Sequence, residues 1–132
     1  MLQKDAPMRK GLKVLIAEDN IINQRIAVGM LTELGHTGVV VGDGEKALRC
    51  LSKLKFDVVV MDVMMPVMDG IEALIAIREQ EKVTGAHLPV IMATAHTEPE
   101  DIVRFRRSGA DGYLSKPLDI DKLKVELGRV FA

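Results

Sequence analysis

The chain has 132 residues, of which 48% are apolar and 28% charged, with a formal net charge of −1. That composition is globular, not disordered, and the length suits one domain with a sizeable core. A near-neutral chain with 3% aromatic residues and no Trp has no general attraction to nucleic acid or anionic membrane and no base-stacking platform. The single Cys50 cannot form an internal disulfide, which fits a reducing, cytoplasmic location. No apolar run approaches the roughly 18 residues of a membrane span. Met1 to Lys10 are polar and charged and lack the apolar centre of a signal peptide. Residues 1–10 read as a linker or tail, and residues 11–132 as the domain.

Leu12 to Ala17 is a short apolar run, read as the first strand, and Glu18-Asp19-Asn20 ends it. Ile22, Ile26, Met30 and Leu34 then recur at helical spacing up to Gly35. Thr37 to Val41 reads as the second strand. Asp43 is the expected N-cap of a second helix carrying Ala47, Leu48, Leu51 and Leu54. The β-branched run from Phe56 to Asp62 reads as a buried strand of a parallel sheet. Pro66 and Asp69-Gly70 then make a loop into a third helix, with Ile71, Leu74, Ile75 and Arg78. That helix is expected to fray into a polar loop from Glu81 to His87. Leu88 to Ala93 reads as the fourth strand, ending in Thr94-Ala95-His96. Pro99 opens a fourth helix that Gly109 closes. Gly112 to Ser115 is a short fifth strand followed by Lys116-Pro117, and Asp119 caps a last helix with Leu123, Leu127 and Val130 on one face.

Five strands alternating with five helices predict a single α/β domain, a flavodoxin-like, doubly wound, five-stranded parallel sheet. Parallel strands gather their carboxyl ends on one rim, where such sheets build their sites. The predicted strand ends hold Glu18 and Asp19, then Asp62, then Thr94, then Lys116. At an effective dielectric of about 20, two like charges ~4 Å apart cost about 4 kcal/mol. One ammonium cannot offset three carboxylates; a hard divalent cation can, and oxygen donors favour Mg²⁺ over zinc. Singly, each residue has a plain structural reading: a helix cap, a turn, a surface lysine or a strand end. Together at four strand ends they favour phosphoryl chemistry, with Asp62 as nucleophile, Lys116 neutralising charge and Thr94 offering a hydroxyl.

The motifs Glu18-Asp19, Met61-Asp62 with Met65-Pro66 and Met68-Asp69-Gly70, Ala93-Thr94-Ala95, and Tyr113-Leu114-Ser115-Lys116-Pro117 resemble those of response-regulator receiver domains of two-component signalling. The resemblance covers about Leu12 to Ala132. It implies that Asp62 accepts a phosphoryl group from a partner's phosphohistidine. It implies Mg²⁺ held by Asp19, Asp62, the backbone carbonyl of Met64 and, through water, Glu18. It implies a switch in which Thr94 moves toward the phosphoryl group and Tyr113 turns inward, and a cis bond before Pro117. Such a domain catalyses its own phosphorylation and dephosphorylation without being a classical enzyme. Asn23-Gln24, Leu34-Gly35-His36 and Thr94-Ala95-His96 resemble receivers attached to hybrid sensor histidine kinases, which would place this one in the cytoplasmic part of a membrane-bound kinase. A free-standing regulator has the same core. The implied partners are a sensor histidine kinase, a histidine phosphotransfer domain or another signalling protein, with a monomeric chain in isolation.

Two departures stand out. Glu18 replaces the more usual aspartate, and Arg106 stands where an apolar residue is usual. Arg104, Arg106 and Arg107 would form a basic surface for an acidic partner patch. In similar domains the positions two residues beyond Asp62 and Thr94 flank the phosphoryl group and tune its hydrolysis; the resemblance thus implies such a role for His96, whereas Met64 cannot orient a water by hydrogen bonding. An aspartate-nucleophile phosphatase would want an acid at position 64. A flavodoxin-like cofactor binder would want a phosphate loop where Glu18-Asp19 stand. A purely protein-binding module, never phosphorylated, would have lost an acid, the threonine or the lysine.

Overall fold

A computed structural model of the chain describes residues 11–131, so the expected linker over residues 1–10 lies outside the described residues. The elements alternate as β1 (Lys13–Ala17), α1 (Ile21–Glu33), β2 (Thr37–Val41), α2 (Gly44–Leu51), β3 (Val58–Asp62), α3 (Gly70–Thr84), β4 (Val90–Thr94), α4 (Pro99–Ser108), β5 (Gly112–Ser115) and α5 (Ile120–Val130). All strand pairs are parallel, in the order β2-β1-β3-β4-β5. This is the expected doubly wound architecture.

Alternation along β3 explains how one strand serves two cores. Val58 and Val60 pack with Ala27, Leu31, Leu123 and Leu127 on the α1/α5 side. Val59 and Met61 pack with Leu74, Ile77, Met92 and Phe105 on the α2/α3/α4 side. All five β3 residues are buried, Asp62 included. Fully burying a valine contributes about 1.5–3 kcal/mol, so this strand commits the chain to a two-faced sheet. Asn20, Asp43 and Asp119 cap their helices through side-chain oxygens that accept from Asn23, Lys46 and Lys122 N–H groups. Asp69 and Glu72 form a reciprocal capping box on α3.

Four expectations shift. Helix α3 continues to Thr84, because Arg78–Glu81 and Glu79–Lys82 ion pairs support the extra turn and Gly85, at φ 77°, caps it. Strand β4 starts at Val90: Glu81 accepts from Leu88 N–H, Arg78 donates to Leu88 O, and Pro89 has no N–H to offer a ladder. Leu54 lies past the end of α2 and is exposed. Ile22 and Ile26 also face outward; the buried stripe of α1 is Ala27 and Leu31. Arg104, Arg106 and Arg107 are exposed on α4, the last two in its final turn, where cations suit the helix dipole.

His36, just before β2, is buried at 3% exposure. Its Nδ1 accepts from Leu12 N–H at 3.2 Å, and its Nε2 is the one buried side-chain polar atom without a hydrogen-bond partner among the described residues. Burial lowers its pKa from the ordinary value of 6.5. Neutral His36 therefore contributes stability that is complete above about pH 6.5 and is lost as pH falls through the lowered value. His36→Asn keeps an acceptor near Nδ1 but does not titrate. Urea unfolding from pH 7.5 down to pH 5 is expected to show a steeper loss for the natural chain than for this variant, and parallel curves would refute the assignment.

Candidate active site

The register brings the carboxyl ends of the strands level: Ala17 lies beside Met61, Asp62 beside Ala93, and Thr94 beside Ser115. The residues just beyond those ends therefore face one another. Carboxylate oxygens of Glu18, Asp19 and Asp62 all lie within 4.8 Å of one another, with Glu18 and Asp62 buried and Asp19 exposed. Lys116 Nζ stands 2.9 Å from Glu18 Oε1 and 3.0 Å from Asp62 Oδ2. All four charged residues read from the sequence thus meet at one rim, and Thr94 lies at the end of the neighbouring strand.

Electrostatics in this pocket are opposed. Burial pushes the Asp62 carboxyl up and Lys116 pulls it down; with Glu18 adding repulsion, the net shift is upward. Burial also pushes Glu18 up, but Lys116 and the Asn20 N–H, which donates to Glu18 Oε2 at 3.0 Å, outweigh it and the net shift is downward. Burial works against the Lys116 ammonium, but its bonds to Glu18 and Asp62 raise its pKa. One ammonium among three carboxylates leaves the pocket negative, and every anionic donor is a carboxylate oxygen. That donor set fits a hard cation such as Mg²⁺.

The loop from Val63 to Asp69 carries the site outward from β3. Gly70 N–H returns to Val63 O at 2.9 Å and closes it. Within the loop Val67 adopts φ 68°, a conformation that strains a β-branched residue. The Met64 side chain is exposed, so its backbone is the part near Asp62 able to contribute, and its N–H helps lower the Asp62 pKa. Thr94 is buried, and its Oγ1 accepts from His96 N–H at 2.9 Å, which leaves the hydroxyl hydrogen free to donate. Tyr113 is 38% exposed and stands outward on β5. The Lys116–Pro117 bond is cis, as the resemblance implies.

The sequence reading missed the surroundings. Gln24 Nε2 donates to Glu18 O at 2.6 Å and ties α1 to the site. A cleft of about 420 Å³ opens beside Asp62 and Lys116, walled by Asn23, Ile26, Pro117 and Leu118. Ile26, which lines this cleft, is 45% exposed, and Ile21 and Ile22, earlier on α1, are 61% and 67% exposed. The usable signal was that these isoleucines do not share the Ala27–Leu31 stripe. Among the described residues no helix is long and apolar enough to cross a membrane.

Comparison with known proteins agrees with this geometry. The response regulator receiver domain profile matches residues 14–127. The chain is 40% identical over 112 residues to hybrid signal transduction histidine kinase I of Dictyostelium discoideum, which covers 81% of this chain but only 6% of that protein. It is 38% identical over 128 residues to chemotaxis protein CheY-3 of Vibrio cholerae serotype O1, covering 96% of this chain and 97% of the other. The receiver domain of sensor histidine kinase PA1611 from Pseudomonas aeruginosa PAO1, solved with a magnesium ion in its active site cleft, superposes with a TM-score of 0.82 at 34% identity, covering 92% of this chain and 99% of that one. Sequence profile, relatives and fold converge: the chain belongs to the response regulator receiver domains of two-component signalling.

Proposed function

We propose that Asp62 accepts a phosphoryl group from a phosphohistidine on a partner protein and that the Thr94/Tyr113 face reports the result. The observation that carries this reading is the meeting of Asp62 with Glu18, Asp19 and Lys116 at the rim. A carboxylate oxygen of Asp62 attacks phosphorus, forming a P–O bond as the P–N bond breaks. The departing imidazole nitrogen keeps the electron pair and takes a proton from solvent. With acetyl phosphate as donor, acetate leaves instead. Asp19, Asp62, the Met64 carbonyl and, through water, Glu18 would hold Mg²⁺, which when bound neutralises phosphoryl oxygens. Lys116 transfers its interaction from the Asp62 carboxylate to a phosphoryl oxygen, and the Thr94 hydroxyl donates to another. Tyr113 then turns inward behind Thr94. Water attacking phosphorus reverses the modification, with His96 placed to influence the rate.

Ile26 at the cleft, with the exposed Ile21 and Ile22 earlier on α1, offers an apolar seat for the donor, a sensor histidine kinase or histidine phosphotransfer domain. The likeness to a hybrid histidine kinase supports a role inside such a kinase, on its cytoplasmic side. On its own the chain is expected to be monomeric and to contact neither nucleic acid nor membrane.

Magnesium binding tests the site. Saturation at 100-fold above Kd would stabilise the fold by about 2.7 kcal/mol, a rise of several degrees in Tm. Asp19→Asn, an exposed change, is expected to remove most of that rise while leaving the metal-free Tm nearly unchanged. An equal response in both proteins would refute the proposed ligand set.

A further inference from the structure

Strand β5 is one edge of the sheet, and two backbone groups at its start are taken by side chains of α5. Tyr113 N–H donates to Glu126 Oε2 at 2.9 Å, and Arg129 Nη2 donates to Asp111 O at 2.6 Å. The two side chains are joined by a bidentate pair, at 2.8 and 2.9 Å. Glu126 is the buried member, with its side chain 13% exposed, against 54% for Arg129. Gly112 makes room for this arrangement: a Cβ there would overlap Glu126 Oε2 and come within 2.7 Å of Arg129 Nη2. Two side chains one turn apart on α5 therefore grip the backbone on either side of a glycine that lets them approach. The gripped residue is Tyr113 itself, above a groove of about 860 Å³ lined by Ile102, Phe105, Leu114 and Val125.

We propose that Glu126, braced by Arg129, is a positioning residue that fixes the Tyr113 backbone so that occupancy at Asp62 is converted into a defined movement of the Tyr113 ring. The proposal rests on the receiver reading above. A backbone held by α5 leaves side-chain rotation as the open response to a change at the rim. A freed edge strand would absorb the same change by sliding, and the ring would report less of it. Burial works against the Glu126 carboxylate, but Arg129 and the Tyr113 N–H lower its pKa, so it stays ionised and keeps its grip at neutral pH. The same contacts also occupy part of the β5 edge that another chain could pair with.

Tyr113 is the only tyrosine and the chain has no Trp, so intrinsic fluorescence reads this residue alone. The natural chain, Glu126→Ala, Glu126→Gln and Arg129→Gln are titrated with beryllofluoride and Mg²⁺, and binding is followed in parallel by thermal shift. The natural chain is expected to bind and to change its tyrosine signal. Glu126→Ala is expected to bind but to lose about half or more of the signal change, in proportion to a lost hydrogen bond. Glu126→Gln retains an oxygen acceptor and should recover most of it; Arg129→Gln should fall between. A purely structural role would lower Tm and leave the tyrosine amplitude alone. Full amplitude in Glu126→Ala, or binding by the natural chain with a silent Tyr113, overturns the clamp and spares the receiver reading. No binding by the natural chain overturns both.

Discussion

Asp62→Asn is expected to abolish covalent phosphorylation and to leave the fold intact. The assay is intact mass after incubation with acetyl phosphate, with and without Mg²⁺. The natural chain should gain one phosphoryl group only when Mg²⁺ is present, and the variant none. The amide cannot supply the attacking anionic oxygen. Stability supplies the control. Burial and Glu18 raise the Asp62 pKa in spite of Lys116, so the folded state holds this ionised carboxylate less favourably than water does. A neutral amide of the same shape relieves that opposition. The metal-free Tm of the variant should therefore equal or exceed that of the natural chain. An adduct on the variant would move the acceptor elsewhere. A lowered Tm would mean that the Lys116–Asp62 pair outweighs the repulsion.

The acidic and basic groups of the site were legible because each follows directly on an apolar strand. A parallel sheet converts that position along the chain into proximity in space. The same logic made β3 readable, since a strand buried on both faces keeps four apolar residues in a row, Val58 to Met61, and then presents a carboxylate. Contacts between elements were not legible. Ile22 and Ile26 share a four-residue spacing with Met30 and Leu34, but the helix turns 3.6 residues per cycle, so the stripe drifts off the core and Ala27 and Leu31 take it. The start of β4 moved because Arg78 and Glu81, on another element, claim Leu88's backbone groups. The Glu126–Arg129 pair reads along the chain as an ordinary surface ion pair three residues apart. Its role appears only when β5 lies beneath it.

Gly70→Ala separates local helix propensity from tertiary packing, because the two predict opposite signs. Gly70 opens α3, and alanine in a helix is favoured over glycine by about 1 kcal/mol. The structure sets that gain against a collision. A Cβ at position 70 would overlap the carbonyl oxygen of Asp62 and lie 3.0 Å from the Asp62 carbonyl carbon and from Met92 Cε. Met92 Cε is the end of a flexible side chain and can yield. Asp62 is held in register with Ala93, so either α3 lifts from β3 or the end of β3 is displaced. Overpacking of this kind costs typically 1–3 kcal/mol and more against backbone. The displaced group belongs to Asp62, the proposed phosphoacceptor, so its distance to Lys116 changes as well. Gly29→Ala is the matched control: this glycine lies inside α1, is exposed, and a Cβ there meets nothing within 4 Å. Urea unfolding should show Gly29→Ala gaining about 0.5–1 kcal/mol and Gly70→Ala losing about 2 kcal/mol or more. Uptake of a phosphoryl group from acetyl phosphate should be near normal in the first and severely slowed in the second. Equal gains in both variants would mean that propensity governs both helices and that α3 does not abut the end of β3.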